Sequence, residues 1–417
     1  MSKMWHIPSS GSRLSWMQIK NLSINKLFLF ASACLLIVGT SIGAGMLGIP
    51  VVMGQGGAIP NSFFLFLTWI ASLVTGLLFL EVMSYVQRDM NFASLAEKFI
   101  SPKAKPIIVA VYLLLFLSLL FAYIKGGGMF ISDISRRIPT WLGSFLFISI
   151  FFPFLIKGTK IIGRINGLLI FPMTISFILL LSIGAKEINL ENLAYENWNK
   201  SYLSSPILVT SYGFHIIIPS LYILLNKNKN LTRWAIVIGT IITFLVYLLW
   251  NVYIMGVVPL SGEISLMTAL QLDQTAITPL KKILGSTTVS KFAQIFHFCA
   301  LTTSFLGVSL ATIDFSMDAL RIEKSKRNRT LISFFIFVPA LILSATELRI
   351  FYLSLNYGAA LACVLLLIIF PAFLMKKIIP KLSQKRSPEH LRFLKKSYYF
   401  AFLFGCSVIL AQILSFT

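Results

Sequence analysis

Charge is scarce in this chain. Only 12% of its 417 residues are Asp, Glu, Lys or Arg, against roughly 25% in a soluble domain. Cysteine is rarer still. Cys34, Cys299, Cys363 and Cys406 each lie alone in an apolar run, which excludes a redox pair or a zinc site and reads as small buried thiols. No His, Cys and carboxylate cluster has metal-ligand spacing, so no cofactor is expected. A G-x-x-x-x-G-K-[ST] loop to cradle the phosphates of ATP is also missing. Any transport by this chain is therefore driven by an ion gradient or runs downhill. The few polar groups inside the apolar runs are scattered along the chain. A membrane enzyme would gather them at one face.

What the chain has in quantity is apolar surface, 57% of its residues. A spanning helix needs about 20 such residues. Eleven runs qualify: 27–53, 61–86, 106–129, 139–157, 163–185, 205–225, 233–258, 291–317, 330–345, 350–375 and 398–416. The expected fold is an all-α polytopic membrane protein. Residues 1–26 are polar and basic, and the run from Leu27 is too long for a signal-peptide core, so a cytoplasmic tail is expected there. With that end inside, Lys and Arg sort about threefold in favour of the inside segments, as orientation by basic residues requires. The net charge of +22 sits in loops and does not point to nucleic acid. The C-terminus then lies outside, after a basic inside loop at 376–397 and a last helix at 398–417.

The stretch Gly39-Thr40-Ser41-Ile42-Gly43-Ala44-Gly45-Met46-Leu47-Gly48-Ile49-Pro50 sits inside the first run. Four glycines and a proline are poor material for an unbroken helix. A bilayer tolerates irregular backbone only where protein or a cavity satisfies the freed groups. Thr210-Ser211-Tyr212-Gly213 repeats Thr40-Ser41-Ile42-Gly43 in the sixth run, again followed by a proline, Pro219. Two interrupted spans in corresponding positions mark the binding site of a secondary transporter. Unwinding at Ser41–Gly45 frees N–H groups at a helix N-terminus, which suits a carboxylate. Freed carbonyls suit an ammonium or a cation. A zwitterion such as an amino acid satisfies both.

Ionisable groups inside the spans are costly and so are functional candidates. Glu81 lies about two turns from the inner end of the second run, with no cation nearby in sequence except Arg88. Burial disfavours a charged carboxyl, so Glu81 is a candidate to take up and release a proton, or to bond the broken backbone. His215 sits at the second break, flanked with it by Tyr212 and Phe214 as pocket walls. His297 lies in the outer half of the eighth run, and Asp314 and Asp318 at its inner end, Asp318 as a surface partner of Arg321. Thr302, Thr303 and Ser304 form a hydroxyl cluster that either holds a sodium ion with first-span carbonyls or bonds its own helix. Two long outside loops complete the chain: a polar one at 187–204 and one at 261–290 whose Leu266, Leu270, Ile277, Leu280, Ile283 and Leu284 suggest short helices that form either a lid or a simple surface loop. An inside segment with Phe92, Leu95, Ala96, Phe99 and Ile100 reads as a helix on the membrane surface.

Gly39 to Pro50 resembles the first-span motif of the bacterial aromatic amino acid permeases. Leu77-Leu-Phe-Leu-Glu81-Val82, Ser211-Tyr-Gly-Phe-His215 and Thr303-Ser-Phe-Leu-Gly307 leading to Asp314-Phe315 are similar to the same family. The resemblance runs from about Leu27 to Phe416. It implies eleven spans in a five-plus-five inverted repeat (27–186 and 205–375) with broken first and sixth helices. It implies import of tyrosine, tryptophan or phenylalanine with protons across a bacterial inner membrane, tyrosine favoured. Ser41, Ile42, Gly43, Ala44, Gly45 and Met46, with Tyr212, Gly213, Phe214 and His215, would border the substrate, and Glu81 would couple the proton. The partners implied are an aromatic amino acid, a proton and membrane lipid.

Overall fold

The computed structural model describes residues 24–86, 90–135, 137–272, 274–344, 359–383 and 386–415. Helices are the only regular structure among them. Eleven are long and apolar enough to cross a membrane. Span one is Ile24–Ser41, broken at Ile42–Gly43 and resumed as Ala44–Val52; span two is Ala58–Val86 and span three Ala104–Ile134. Span four is Thr140–Lys157 and span five Thr159–Gly184. Span six is Pro206–Ser211, a tight turn over Gly213–Ile217, then Ile218–Leu224. Spans seven to nine are Lys229–Val257, Thr287–Ala319 and Lys326–Ser344; spans ten and eleven are Ala360–Leu382 and Pro388–Leu414. The tail at 1–23, Arg88 and the start of the tenth run, 350–358, lie outside the described residues.

Apolar runs understate the helices at their ends. Span eleven begins at Pro388, where Ser387 accepts the His390 N–H and the proline supplies a pre-set first turn. Its first turns carry Arg392, Lys395 and Lys396, which a hydropathy reading assigns to a loop. Span ten likewise continues through Lys376, Lys377 and Lys381 to Leu382. Long basic side chains lay their stems along an apolar surface and keep the charge wet. The segment 376–397 is therefore helix over 376–382 and 388–397.

The packing shows the internal repeat. Span one packs on five and seven, and span six on ten and two. Span five packs on eight, and span ten on three; span three packs on four, and span eight on nine. Spans two and seven pair with each other, as do three and eight. Exchanging spans one to five with spans six to ten, in order, maps these contacts onto one another. Because each unit has an odd number of spans, the second runs opposite to the first, and the repeat is inverted. Span eleven stands outside the repeat, against spans two and ten.

One end of the bundle carries the basic turns and the surface helix Phe92–Phe99, whose Phe92 packs between Phe79, Tyr112 and Phe370. The other end carries the loop helices Leu190–Ala194, Trp198–Ser204, Leu266–Gln271 and Ile277–Leu284. These last two make up the loop read above as a lid, and its Ala276 N–H donates to Leu47 O of span one (3.2 Å). Cys34, Cys299 and Cys363 are buried, but Cys406 is exposed on span eleven, a correction to its reading as a buried thiol. An apolar run does not say which face of a peripheral helix meets lipid.

Candidate functional site

The two breaks lie side by side in the middle of the bundle. Gly45 of span one touches span six so closely that a Cβ there would stand 2.6 Å from Ser211 Oγ. Gly43 meets span eight, where a Cβ would stand 2.1 Å from Ser304 Oγ. Close helix approach accounts for both glycines. Gly213 differs. It is partly buried, and a Cβ there would meet no atom within 4 Å.

Both broken ends are held by hydroxyls from neighbouring spans. Ser304 Oγ lies 2.9 Å from Gly39 O and 3.1 Å from Thr40 O. Tyr247 of span seven reaches both breaks at once: its hydroxyl lies 2.5 Å from Ser41 O and 2.9 Å from Ser211 O. Ser41 and Ser211 are the matched positions of the Thr-Ser repeat, so one proton is shared between the equivalent carbonyls of the two repeats. The amide side is left open. The N–H groups of Gly43, Gly45 and Met46, at the start of the second half-helix, donate to no described residue. The buried Tyr212 hydroxyl also has no partner among the described residues. The site therefore offers donors to an anionic group, while Gly39 O, Thr40 O, Ser41 O and Ser211 O already accept from the protein.

The remaining expected site residues are distributed around this centre. Ile42 and Met46 are buried in the apolar cluster on the lid side of the break with Leu47 and Tyr212. Phe214 turns towards Gly76 of span two, stacked on His215 (4.4 Å between centroids). His215 Nε2 lies 2.8 Å from Thr75 Oγ1. The Thr75 hydroxyl proton is committed to Ala71 O or Ser72 O, so the network assigns the imidazole proton to Nε2. His215 thus anchors the turn of span six to span two. Thr303 Oγ1 bonds Ala300 O of its own helix, and Thr302 Oγ1 is fully buried with no partner among the described residues. Gly39 to Gly43 also spells G-x-S-x-G, but Ser41 ends a helix and its Oγ has no hydrogen-bond partner among the described residues, so no base activates it.

Glu81 is not isolated. It pairs with Lys229 at the start of span seven and with Arg386 before span eleven (3.1 Å), with His390 3.9 Å away. The expectation of an unpaired carboxyl is corrected, because sequence distance hid cations that the fold brings together. Asp314 is buried between Arg329 of span nine and Ser220 of span six, the latter at 2.6 Å. Asp318 accepts from Ser94 N (3.0 Å) and Ser94 Oγ (2.7 Å) on the surface helix, while Arg321 pairs with Glu97. This corrects the expected Asp318–Arg321 pair. The surface helix presents its own partners to both residues. A cavity of about 380 Å³ lies at this end, bounded by Pro219, Ser220, Asp314 and Asp318.

The profile of the tryptophan/tyrosine permease family matches residues 26–412. This chain belongs to that family. The permease is 30% identical to the tyrosine-specific transport system 1 of Haemophilus influenzae over 331 residues, 78% of this chain and 82% of that protein. It is also 30% identical to glutamine transporter 2 of Aliivibrio fischeri, over 71% of this chain and 76% of that one. Among solved structures it is similar in fold to MhsT in complex with L-phenylalanine, with a TM-score of 0.65 at 14% identity, over 91% of this chain and 98% of that one. The permease is a multi-pass membrane transporter and not an enzyme. Sequence reasoning located both breaks of the permease but missed Tyr247, which sits in an unbroken span with no local signal.

Proposed function

We propose that this permease imports an aromatic amino acid, tyrosine before tryptophan, together with protons across a bacterial inner membrane. The observation that carries the substrate class is the pair of adjacent breaks, where the N–H groups of Gly43, Gly45 and Met46 donate to no described residue and a Cβ at Gly213 would meet no atom within 4 Å. A carboxylate fits those donors. The family and its tyrosine-specific relative favour an aromatic side chain. The basic end is taken as cytoplasmic, which places the N-terminus inside and the C-terminus in the periplasm.

Glu81 is the proposed coupling group. Its ion pairs tie span two to spans seven and eleven at the basic end. Protonation of Glu81 would remove the charge that holds Lys229 and Arg386 and free these spans to separate. A proton thereby changes the stability of one conformation relative to another, which is what coupling requires.

The test is uptake of labelled tyrosine into proteoliposomes under an imposed pH gradient without sodium, for the parent and Glu81→Gln. Accumulation in the parent, lost in Glu81→Gln while exchange of substrate persists, is the expected result. Excess tryptophan should compete and excess glutamine should not; the reverse order would assign the permease to the substrate of its glutamine-transporting relative. A strict sodium requirement would contradict proton coupling and move the ion site to Thr302 and Thr303 with the span-one carbonyls.

A further inference from the structure

A second cavity, of about 490 Å³, lies at the lid end between the lid, span three, span eight and the second half of span one. This is within the usual size of small-molecule sites. Its inner wall is apolar and close to the break. Leu47 is four residues beyond Gly43, and Leu301 is one turn from Ser304, which bonds the broken backbone. Lys281 and Lys282 of the lid helix and His297 of span eight line the cavity, as does Lys125 of span three. Lys281, Lys282 and His297 make no hydrogen bond or ion pair with any described residue, and Lys281 lies within electrostatic reach of His297. No carboxylate among the described residues lines the cavity. Cationic groups lining a low-dielectric cavity concentrate anions. The apolar part of the lining suits an aromatic or aliphatic body.

We propose that this lid chamber is a second ligand site, distinct from the break, which takes an aryl or indolyl monocarboxylate by its carboxylate alone. It holds the transported amino acid on its way to the break, a role that rests on the transport reading above. It also accepts analogues that lack the α-amino group. Lys281 and Lys282 hold the carboxylate, and Leu47, Ile277 and Leu301 cover the ring.

The probe is labelled 3-(4-hydroxyphenyl)propionate, which is tyrosine without its amino group, in equilibrium dialysis against the purified full-length protein. Saturable binding is expected in the parent. Lys281→Gln with Lys282→Gln should weaken it at least about tenfold, the size of one lost charge-assisted hydrogen bond. Lys281→Arg with Lys282→Arg should keep it within about threefold, since the charge remains. Tyramine, which keeps the amine and lacks the carboxylate, should not displace the probe. Gly213→Val, which fills the break, should leave probe binding in place. Absence of saturable binding, equal binding to the Gln variant, displacement by tyramine, or loss of binding in Gly213→Val would each overturn the proposal. Lysine-dependent probe binding by a protein that accumulates no tyrosine would leave the chamber standing and remove the transport reading. Tyrosine accumulation without probe binding would do the reverse.

Discussion

Tyr247 ties the two halves of the molecule through a single hydroxyl. Ser41 O and Ser211 O end the first half-helices of spans one and six, and both face that one proton. Tyr247→Phe keeps the ring against Tyr212 and removes only the donor. The buried carbonyls then go unpaired, at a cost of about 1–3 kcal/mol. Initial tyrosine uptake should fall at least about tenfold, with a lowered thermal midpoint in detergent; unchanged uptake would show that the bridge is incidental. Gly43 gives a second test. Gly43→Ala drives a Cβ into Ser304 and should abolish uptake. Adding Ser304→Gly removes the obstructing side chain and should recover part of it. The Thr-Ser repeat was legible in the sequence because glycine and proline mark broken backbone. Tyr247 was not, because a tyrosine in an unbroken apolar helix carries no sign of what it faces. Ser304 was read as one of three hydroxyls, and only the helix rotation selects it over Thr302 and Thr303.

At the scale of elements, the basic end is fastened by ion pairs between segments far apart in sequence. Glu81 joins spans two, seven and eleven, and Asp314 joins spans six, eight and nine. Removing one partner of a buried pair strands the other, at a cost of about 3–5 kcal/mol. Arg329→Met should therefore destabilise the protein sharply, and Arg329→Met with Asp314→Asn should recover much of the loss; equal melting of the single and double variants would count against a coupled pair. The surface helix Phe92–Phe99 is strapped by Ser94 to Asp318 and by Glu97 to Arg321 and Lys105. The Arg321 guanidinium bonded to Glu97, and then Lys105, hold its carboxyl below the ordinary range. The sign follows from that lowering. The Glu97 pairs of the strap are intact above the ordinary carboxylate range and are lost as pH falls through the lowered value. Amide-exchange protection of 92–99, corrected for intrinsic rates, should hold from pH 7 to about 5 and fall below the usual carboxylate range. The helix itself was legible from its apolar face. Its partners were not, because pairing across the bundle depends on which spans are neighbours.

At the scale of the whole molecule, eleven spans, two lid helices and the paired breaks follow from apolar length, basic residues and glycine placement. Hydropathy stopped short at spans ten and eleven because snorkelling lysines and arginines are counted as loop. The inverted repeat needed the span-to-span contacts, since outside the Thr-Ser motif the two halves share little sequence. The site at the centre of that repeat makes a clean demand on Gly213. Its missing Cβ faces open space, so a larger residue there costs the fold little and takes up the volume assigned to substrate. Equilibrium binding of labelled tyrosine to the purified protein, parent against Gly213→Val, tests this most directly. Saturable binding in the parent, lost at least about hundredfold in a Gly213→Val protein that melts as the parent does without ligand, is expected if the valine excludes the ring. Equal tyrosine affinity in the two proteins would contradict a substrate site at the paired breaks.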